Sequence, residues 1–284
     1  MIRMMRPSTR GSIIMLAASS ALVAQSRNQS GVPDVRQIVE SSIAVTLRSW
    51  QVRVRYTYVE RDQDRRLDSD GHLKSEEVDV SKTIQVAGVP FELLVERNGQ
   101  PPSAAEERKQ KEKLDKLKRE TLEQRAERVR NEEEENTSLV REVPKAFDFQ
   151  LVGEEVVNDR PTYVLQATPH PGYQPQGKYG KMFAKVEGKL WVDKQDLGWI
   201  KADGLVTQQF SLGLFLVRVL RGSHITMEQI RVGDAIWMPE RVEVRAATKI
   251  FFVKSLVIDR VLTYSEYRLA QSGSSATRDP SRPR

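Results

Sequence analysis

The sequence predicts a mainly β (α+β) fold built on one wide antiparallel sheet of about eleven strands. Between residues 147 and 269, segment after segment alternates apolar and polar residues, a pattern typical of strands with one buried face. Turn sequences such as Asn98-Gly99 and Asp193-Lys-Gln-Asp196 separate such segments. A sheet of this width has to curl or close on itself.

The two ends of the chain differ in composition from the rest. Residues 1–26 combine a basic start, a short apolar stretch and small residues around Ala24, which predicts a cleavable secretory signal, with an uncleaved N-terminal anchor as the alternative. Residues 272–284 are rich in Ser, Pro and Arg and are expected to be disordered. Residues 27–271 between them are predicted to form a single domain.

The net charge of +6 belongs mostly to those ends, which leaves about +1 on the predicted domain. The residues responsible are Arg3, Arg6 and Arg10 in the signal and Arg278, Arg282 and Arg284, less Asp279, in the tail. A nucleic-acid binder would show a basic patch within the domain, so this class is excluded. The chain has no cysteine and must fold without disulfides, which its length allows.

The first elements of the predicted domain are a helix and a strand. Apolar residues recur at helical spacing between residues 32 and 48, which predicts an amphipathic helix packed on the sheet. Trp50 is predicted to open the first strand. One face of that strand would carry Val52, Val54, Tyr56 and Tyr58.

Between the third and fourth predicted strands, residues 104–131 are rich in Glu, Lys, Arg and Leu. Opposite charges at i, i+3 and i+4 predict one long charged helix inserted into the sheet protein. This insertion is either a solvated arm or a mobile lid or partner-contact element. The remaining strands are predicted over residues 77–86, 89–96, 147–157, 162–168, 183–194, 198–209, 213–221, 223–232, 236–249 and 250–268.

Metal-binding patterns are weak. Asp68, Asp70, Gly71 and Glu77 match part of a calcium loop, but Arg66 occupies the first ligand position. An acidic hairpin turn is therefore predicted there. The chain has three histidines, spaced far apart, at His72, His170 and His224, and this spacing argues against a zinc site. Neither a metal nor a cofactor is expected.

Catalytic motifs are also missing from the sequence. The nearest paired carboxylates are Asp193 with Asp196, in a turn, and Glu154 with Glu155, on opposite sides of a strand. Both pairs are expected to be structural rather than acid/base pairs. No nucleophile elbow, P-loop or dinucleotide fingerprint occurs. The chain is predicted not to be an enzyme.

Two segments, 210–220 and 249–253, lose the alternation and are apolar on both sides. Such strands are covered on both faces, either beneath the N-terminal helix or by an acyl chain or other apolar ligand in a groove. The candidate ligand-binding residues are Val52, Val54, Tyr56, Tyr58, Phe149, Leu190, Val192, Phe210, Leu212, Leu214, Leu216 and Phe251.

Short strings in the predicted order of elements carry a family resemblance. They are Tyr56-Thr-Tyr58, Phe147-x-Phe149-x-Leu-Val-Gly-Glu154, Leu190-Trp-Val-Asp193, Gly213-Leu-Phe215 and Tyr264-Ser-Glu-Tyr267. With the signal, the first helix and the closing strands, the sequence over roughly residues 34–269 resembles the outer-membrane lipoprotein-sorting superfamily, the LolA/LolB-like periplasmic proteins.

This resemblance implies a strongly curved half-barrel of about eleven antiparallel strands, capped by helices, with an apolar cavity for lipoprotein acyl chains. It implies a soluble, non-catalytic periplasmic carrier whose contact with membranes is transient at most. The superfamily also includes lipid-sensing regulators of envelope stress. The alternative is therefore an envelope sensor or scaffold whose charged helix binds a protein partner. The long charged helix departs from the carrier pattern.

Overall fold

A computed structural model describes residues 34–175, 180–212, 217–234, 236–250 and 254–270. The predicted signal and the predicted tail lie outside these ranges, as do three of the candidate ligand-binding residues, Leu214, Leu216 and Phe251. From Asp34 onward the described residues belong to one unit.

Four helices and twelve strands lie within the described ranges. The helices are α1 (Val35–Arg53), α2 (Ala104–Arg119), α3 (Leu122–Ala146) and α4 (Gly180–Phe183). The strands are β1 (Tyr56–Leu67), β2 (Leu73–Val86), β3 (Val89–Arg97), β4 (Phe147–Val157), β5 (Arg160–Pro169), β6 (Val186–Asp193), β7 (Trp199–Val206), β8 (Phe210–Leu212), β9 (Val217–Val219), β10 (His224–Val232), β11 (Ile236–Ile250) and β12 (Lys254–Leu269).

All twelve strands join one open, curled antiparallel sheet, which confirms the predicted fold class. Its main path runs β3-β2-β1-β12-β11-β10-β7-β6-β5-β4, and β9 joins β8 to β11. The first and last strands are therefore neighbours in the middle of the sheet. Most connections are hairpins, such as the β4–β5 turn, where Asn158 and Asp159 both adopt positive φ. The predicted turn at Asn98-Gly99 follows β3 and leads to a bridge at Gln100, and both of its residues adopt positive φ, as Asn-Gly turns require.

Helix α1 is longer than the alternation of its last residues predicts, and the prediction that Trp50 opens a strand is wrong. The helix begins after Asp34, whose side chain accepts a hydrogen bond from the Arg36 backbone N–H at 3.0 Å. It continues to Arg53 because Thr46, Trp50 and Arg53 repeat at helical spacing and face the same packing surface.

The predicted single charged helix is also wrong, because the structure divides it into two. Glu120 ends α2 with an extended ψ of 139°, and Thr121 begins α3 with a capping box to Gln124. Helix α3 then continues 15 residues beyond the predicted end, to Ala146, and packs against α1. The sequence does not reveal this packing, because the acidic run over residues 132–135 interrupts the apolar stripe before Leu139, Val140 and Val143 continue it.

Helix α2 covers part of the edge strand β3. The Leu94 backbone N–H donates to Gln110 Oε1 at 2.7 Å, and Gln110 Nε2 donates to the Leu94 carbonyl oxygen at 3.2 Å. Arg97 at the end of β3 bonds to Asp79 on β2 and pairs with Glu106 on α2 at 2.8 Å. These contacts fasten α2 to the sheet.

Candidate functional site

Helices α1 and α3 pack across one face of the sheet and leave a cavity of about 410 Å³ beneath them. This volume lies in the range of small-molecule sites. The cavity wall is almost entirely apolar. The helices contribute Trp50, Leu139, Val140 and Val143, and the strands contribute Phe149, Leu190, Ala202, Met227 and Trp237.

The floor of the cavity is a packed core that fixes α1 on the sheet. Ile38, Val39 and Ile43 of α1 meet Leu165, Leu190, Val192 and Trp199 of the strands, together with Val140 of α3. Two serines of α1 bind tryptophans of the sheet. Trp199 Nε1 donates to Ser42 Oγ at 2.9 Å, and the Trp237 backbone N–H donates to Ser49 Oγ at 3.1 Å. The cavity therefore has a rigid base.

The structure brings together only part of the predicted binding set. Phe149 and Leu190 line the cavity, whereas Val192 is fully buried in the core. Phe210 is half-buried on β8 and pairs with Val219, and for Leu212 only the backbone is described. The sheet therefore offers a smaller binding wall than the sequence suggests.

The residues predicted to share the face of the first strand separate at the end of α1. Val52 lies within α1 and lines neither cavity. Val54, Tyr56 and Tyr58 instead line a second hollow of about 310 Å³, called here the side groove. Trp50 and Arg53 line both the cavity and the side groove. The two spaces are thus neighbours across the C-terminal end of α1.

Aromatic rings surround the Arg53 guanidinium at this junction. Its Cζ lies 5.1 Å from the ring centre of Trp50, 5.3 Å from that of Tyr58 and 5.8 Å from that of Tyr264, all within cation–π range. Burial raises the pKa of Tyr264, and the nearby Glu60 charge raises it further. Burial also raises the pKa of Glu60. Tyr264 is therefore a neutral ring at ordinary pH.

Sequence reasoning missed the helical half of the wall. Leu139, Val140 and Val143 lie beyond the predicted end of the charged helix, although their i, i+1 and i+4 spacing would have revealed one apolar face. Trp199 and Trp237 were each inside a predicted strand. Nothing in the local sequence, however, indicates that both meet serines of α1 about 150 residues or more away along the chain.

Of the two carboxylate pairs found in the sequence, Asp193 and Asp196 form hydrogen bonds and ion pairs within the fold. Asp193 is buried and accepts two hydrogen bonds from Arg160, at 2.6 and 2.9 Å. Burial opposes its ionisation, but Arg160 and the backbone amides of Gln195 and Asp196 outweigh that and lower the pKa of Asp193. Asp196 accepts from Trp237 Nε1 at 3.1 Å. This cluster of hydrogen bonds stabilises the β6–β7 turn.

The second pair, Glu154 and Glu155, is likewise engaged. Glu154 forms an ion pair with Lys194, and Glu155 accepts a hydrogen bond from Trp191 Nε1 at 2.8 Å. The prediction that these carboxylates are structural fits their geometry.

Within the described ranges, metal-ligand side chains come together in a group of three at Asp68, Asp70 and His72, in an exposed turn. Asp68 Oδ1 already accepts the backbone N–H groups of Asp70 and His72, and Lys74 Nζ lies 2.9 Å from its other oxygen. These partners lower the pKa of Asp68 to about 2. The arrangement is that of the predicted acidic hairpin turn.

The other two histidines each meet one aspartate: His170 pairs with Asp148 and His224 with Asp203, both at 2.9 Å. Both pairs are exposed or half-exposed; His170 directly follows β5, and His224 begins β10. Among the helices that the structure describes, none is long and apolar enough to cross a membrane.

The fold and the cavity define this chain as an open-sheet protein with an apolar cavity under its helices α1 and α3. No family model and no curated protein matches the sequence. Among solved structures, it is similar to a LolA superfamily protein from Nitrosomonas europaea, with 13% identity and a TM-score of 0.28. That match covers 85% of this chain and 96% of the other.

Two further structures show a similar degree of likeness. One is a putative outer membrane lipoprotein-sorting protein domain from Vibrio parahaemolyticus, with 10% identity, a TM-score of 0.33, and coverage of 84% of this chain and 95% of the other. The other is a DUF1329 family protein from Desulfovibrio piger, with 14% identity, a TM-score of 0.31, and coverage of 82% and 93%. The superfamily that the sequence resembles is thus among the matches, and they carry no information on function.

Proposed function

We propose that this protein is a non-catalytic periplasmic carrier that holds a lipid or lipoprotein acyl chain in the cavity under α1 and α3. The observation that carries the proposal is the apolar space of about 410 Å³ between the helices and the sheet. Each methylene that leaves water for such a space gains about 0.8 kcal/mol. A single acyl chain can therefore be held without specific polar contacts along its length.

A cavity-filling variant tests the proposal. Ala202 lines the cavity from β7, so Ala202→Phe places a ring where the acyl chain would lie. We expect it to weaken binding of a fluorescent fatty acid about tenfold or more, since several methylenes lose their site. The matched control is Ala105→Phe on exposed α2, which should bind as the wild type does.

The protein purified from cells provides an independent measurement. Organic-solvent extraction followed by mass spectrometry should release lipid from the wild type and less from the Ala202→Phe variant. Thermal unfolding of both variants shows whether they are folded. A wild type that carries no lipid and also ignores fluorescent fatty acids would defeat the proposal.

A second candidate, an envelope sensor or scaffold, is favoured by the exposed charged surface of α2 and the start of α3, where Leu122 is 80% exposed. Deleting residues 104–131 separates the two functions. A carrier should keep lipid binding, because Leu139, Val140 and Val143 remain. A scaffold should lose its protein partner in a pull-down with envelope extract.

A further inference from the structure

The side groove carries charges of both signs next to the apolar cavity. Arg53 lies at the junction of the two spaces, and Glu132 and Glu133 of α3 line the side groove. An apolar chamber that opens beside a cation and two carboxylates has the layout expected of a site for an amphiphile. The signs of these charges limit which lipid head group would fit the side groove.

Arg53 has donors to spare. Its guanidinium donates one side-chain hydrogen bond, to Tyr58 Oη at 3.3 Å, although a guanidinium has five N–H donors. In the part of the chain that the structure describes, no carboxylate lies within 4.0 Å of it. The aromatic rings hold the cation in place, and the partly buried Glu60 interacts with it electrostatically without forming an ion pair to it. The planar guanidinium of an arginine binds an oxyanion, such as a phosphate or a carboxylate, better than other groups, because two of its N–H groups can donate to it together.

The residues that α3 contributes to the side groove include negative charge. Glu133 is exposed and forms no ion pair among the described residues, while Glu132 shares a 3.4 Å contact with Arg128. A purely anionic head group, such as a fatty acid carboxylate, would form an ion pair with Arg53. It would also be repelled by the two glutamates, with no positive charge of its own to face them. A zwitterionic head matches both charges, because its ammonium can face the glutamates.

We propose that the side groove binds the head group of a single-chain zwitterionic phospholipid of the phosphoethanolamine type, with its phosphate at Arg53 and its ammonium at Glu133. The acyl chain of the same molecule extends into the cavity. This inference rests on the proposed function and names the class of lipid that the cavity accepts.

Calorimetry with monomeric lipids below their micelle concentrations tests it, using one acyl chain on three head groups. Lysophosphatidylethanolamine should bind about tenfold more tightly than a monoacylglycerol, since it adds charge-assisted hydrogen bonds. Lysophosphatidylglycerol, which has the phosphate but no ammonium, should bind less tightly than the ethanolamine lipid. Glycerophosphoethanolamine, which has no chain, should bind far more weakly than all three.

Two variants assign the charges. Arg53→Gln should lower the affinity for both phospholipids about tenfold and lower that for the monoacylglycerol much less, because the neutral head offers no charge to the guanidinium. Glu133→Gln should weaken lysophosphatidylethanolamine alone. Their controls are Arg55→Gln and Glu134→Gln, which change the same charges at exposed neighbouring positions outside the groove and should have no effect.

The outcomes separate this inference from the proposed function. Equal affinities for the three single-chain lipids, which need no variant to measure, would overturn the head-group site and leave acyl carriage standing. Tight binding of glycerophosphoethanolamine would also overturn it, because the head would then not depend on the chain. Failure of every chain-bearing lipid to bind would defeat both. Arg53→Lys keeps the charge. It should retain part of the phospholipid affinity that Arg53→Gln loses, which separates loss of the charge from poor folding of the glutamine variant.

Discussion

Strands β5, β6 and β7 and strands β1, β2 and β12 belong to one sheet, but their side chains meet very different neighbours. Along β6, the last four residues are all buried, from Leu190 to Asp193. Along β1, eleven of the twelve residues are half-buried or exposed. The first group lies beneath α1 and α3. The second meets these helices only around Tyr56 and Tyr58, beside the side groove, and the rest of its length is called here the uncovered half.

The uncovered strands are held together by charge pairs between neighbouring strands. Arg260 Nε on β12 donates to Asp62 on β1 at 2.8 Å, and Arg65 lies 3.8 Å from Asp259 directly opposite it. The covered strands instead place one buried carboxylate, Asp193, against Arg160. In the covered half, therefore, water cannot replace a lost partner of a charge, whereas in the uncovered half it can.

The largest expected effect follows from breaking the buried pair. Arg160→Met should reduce the free energy of unfolding by about 3 kcal/mol, because it leaves the buried Asp193 charge without its main partner. Urea denaturation measures the loss. The matched change in the uncovered half, Arg65→Met, should cost about 0.5 kcal/mol or less. Equal losses in the two variants would abolish the distinction between the halves.

Acid should affect the same pair. The pKa of Asp193 is lowered in the folded protein, so its contribution to stability is complete above the unfolded pKa of about 4. This contribution is lost as the pH falls through the lower folded pKa. Stability of the wild type should therefore drop between pH 4 and more acidic values, and Arg160→Met should flatten that drop. A variant that keeps the full acid dependence would assign it to other carboxylates.

A smaller effect is expected at the contact between α1 and the sheet. Ser42→Ala removes the acceptor of Trp199 Nε1–H, which is buried, and should cost about 2 kcal/mol. Ser138→Ala, at an exposed position of α3, is the control and should change stability by less than about 0.5 kcal/mol. Thermal unfolding compares the two. A Ser42→Ala variant as stable as its control would show that α1 is held by apolar packing alone.

The smallest effect should come from the edge of the uncovered half. Gln110→Ala removes both hydrogen bonds to the Leu94 backbone, at a cost of about 1 kcal/mol. Lys113→Ala on the exposed side of α2 serves as the control. Hydrogen exchange at the Leu94 amide should become faster in the first variant only. Unchanged exchange would mean that α2 does not protect this edge.

The sequence predicts the strands well because alternation is a local signal. The strand over residues 147–157 has the predicted bounds, and the predicted strand over 236–249 lacks one residue. The helix ends are predicted poorly. Val52 and Val54 alternate as strand residues do, but Val52 is helical because Trp50 and Arg53 share a helix face with Thr46.

The site itself could be predicted only in part. Phe149 and Leu190 are ordinary inward-facing strand residues, so alternation predicts them. The cavity depends instead on how far α3 stands from the sheet. That spacing is set by contacts between distant parts of the chain, such as Ser42 with Trp199, and no local pattern reports it.

The amide of Gln110 presents the same donor and acceptor to β3 that a further strand would present. Sheet edges with free backbone groups recruit strands from other molecules. One side chain on a charged helix thus imitates a neighbouring peptide unit at Leu94 and occupies the position where a foreign strand would start to add. In a sheet whose path ends at β3 and β4, this contact lowers the tendency of the β3 edge to add a strand from another molecule.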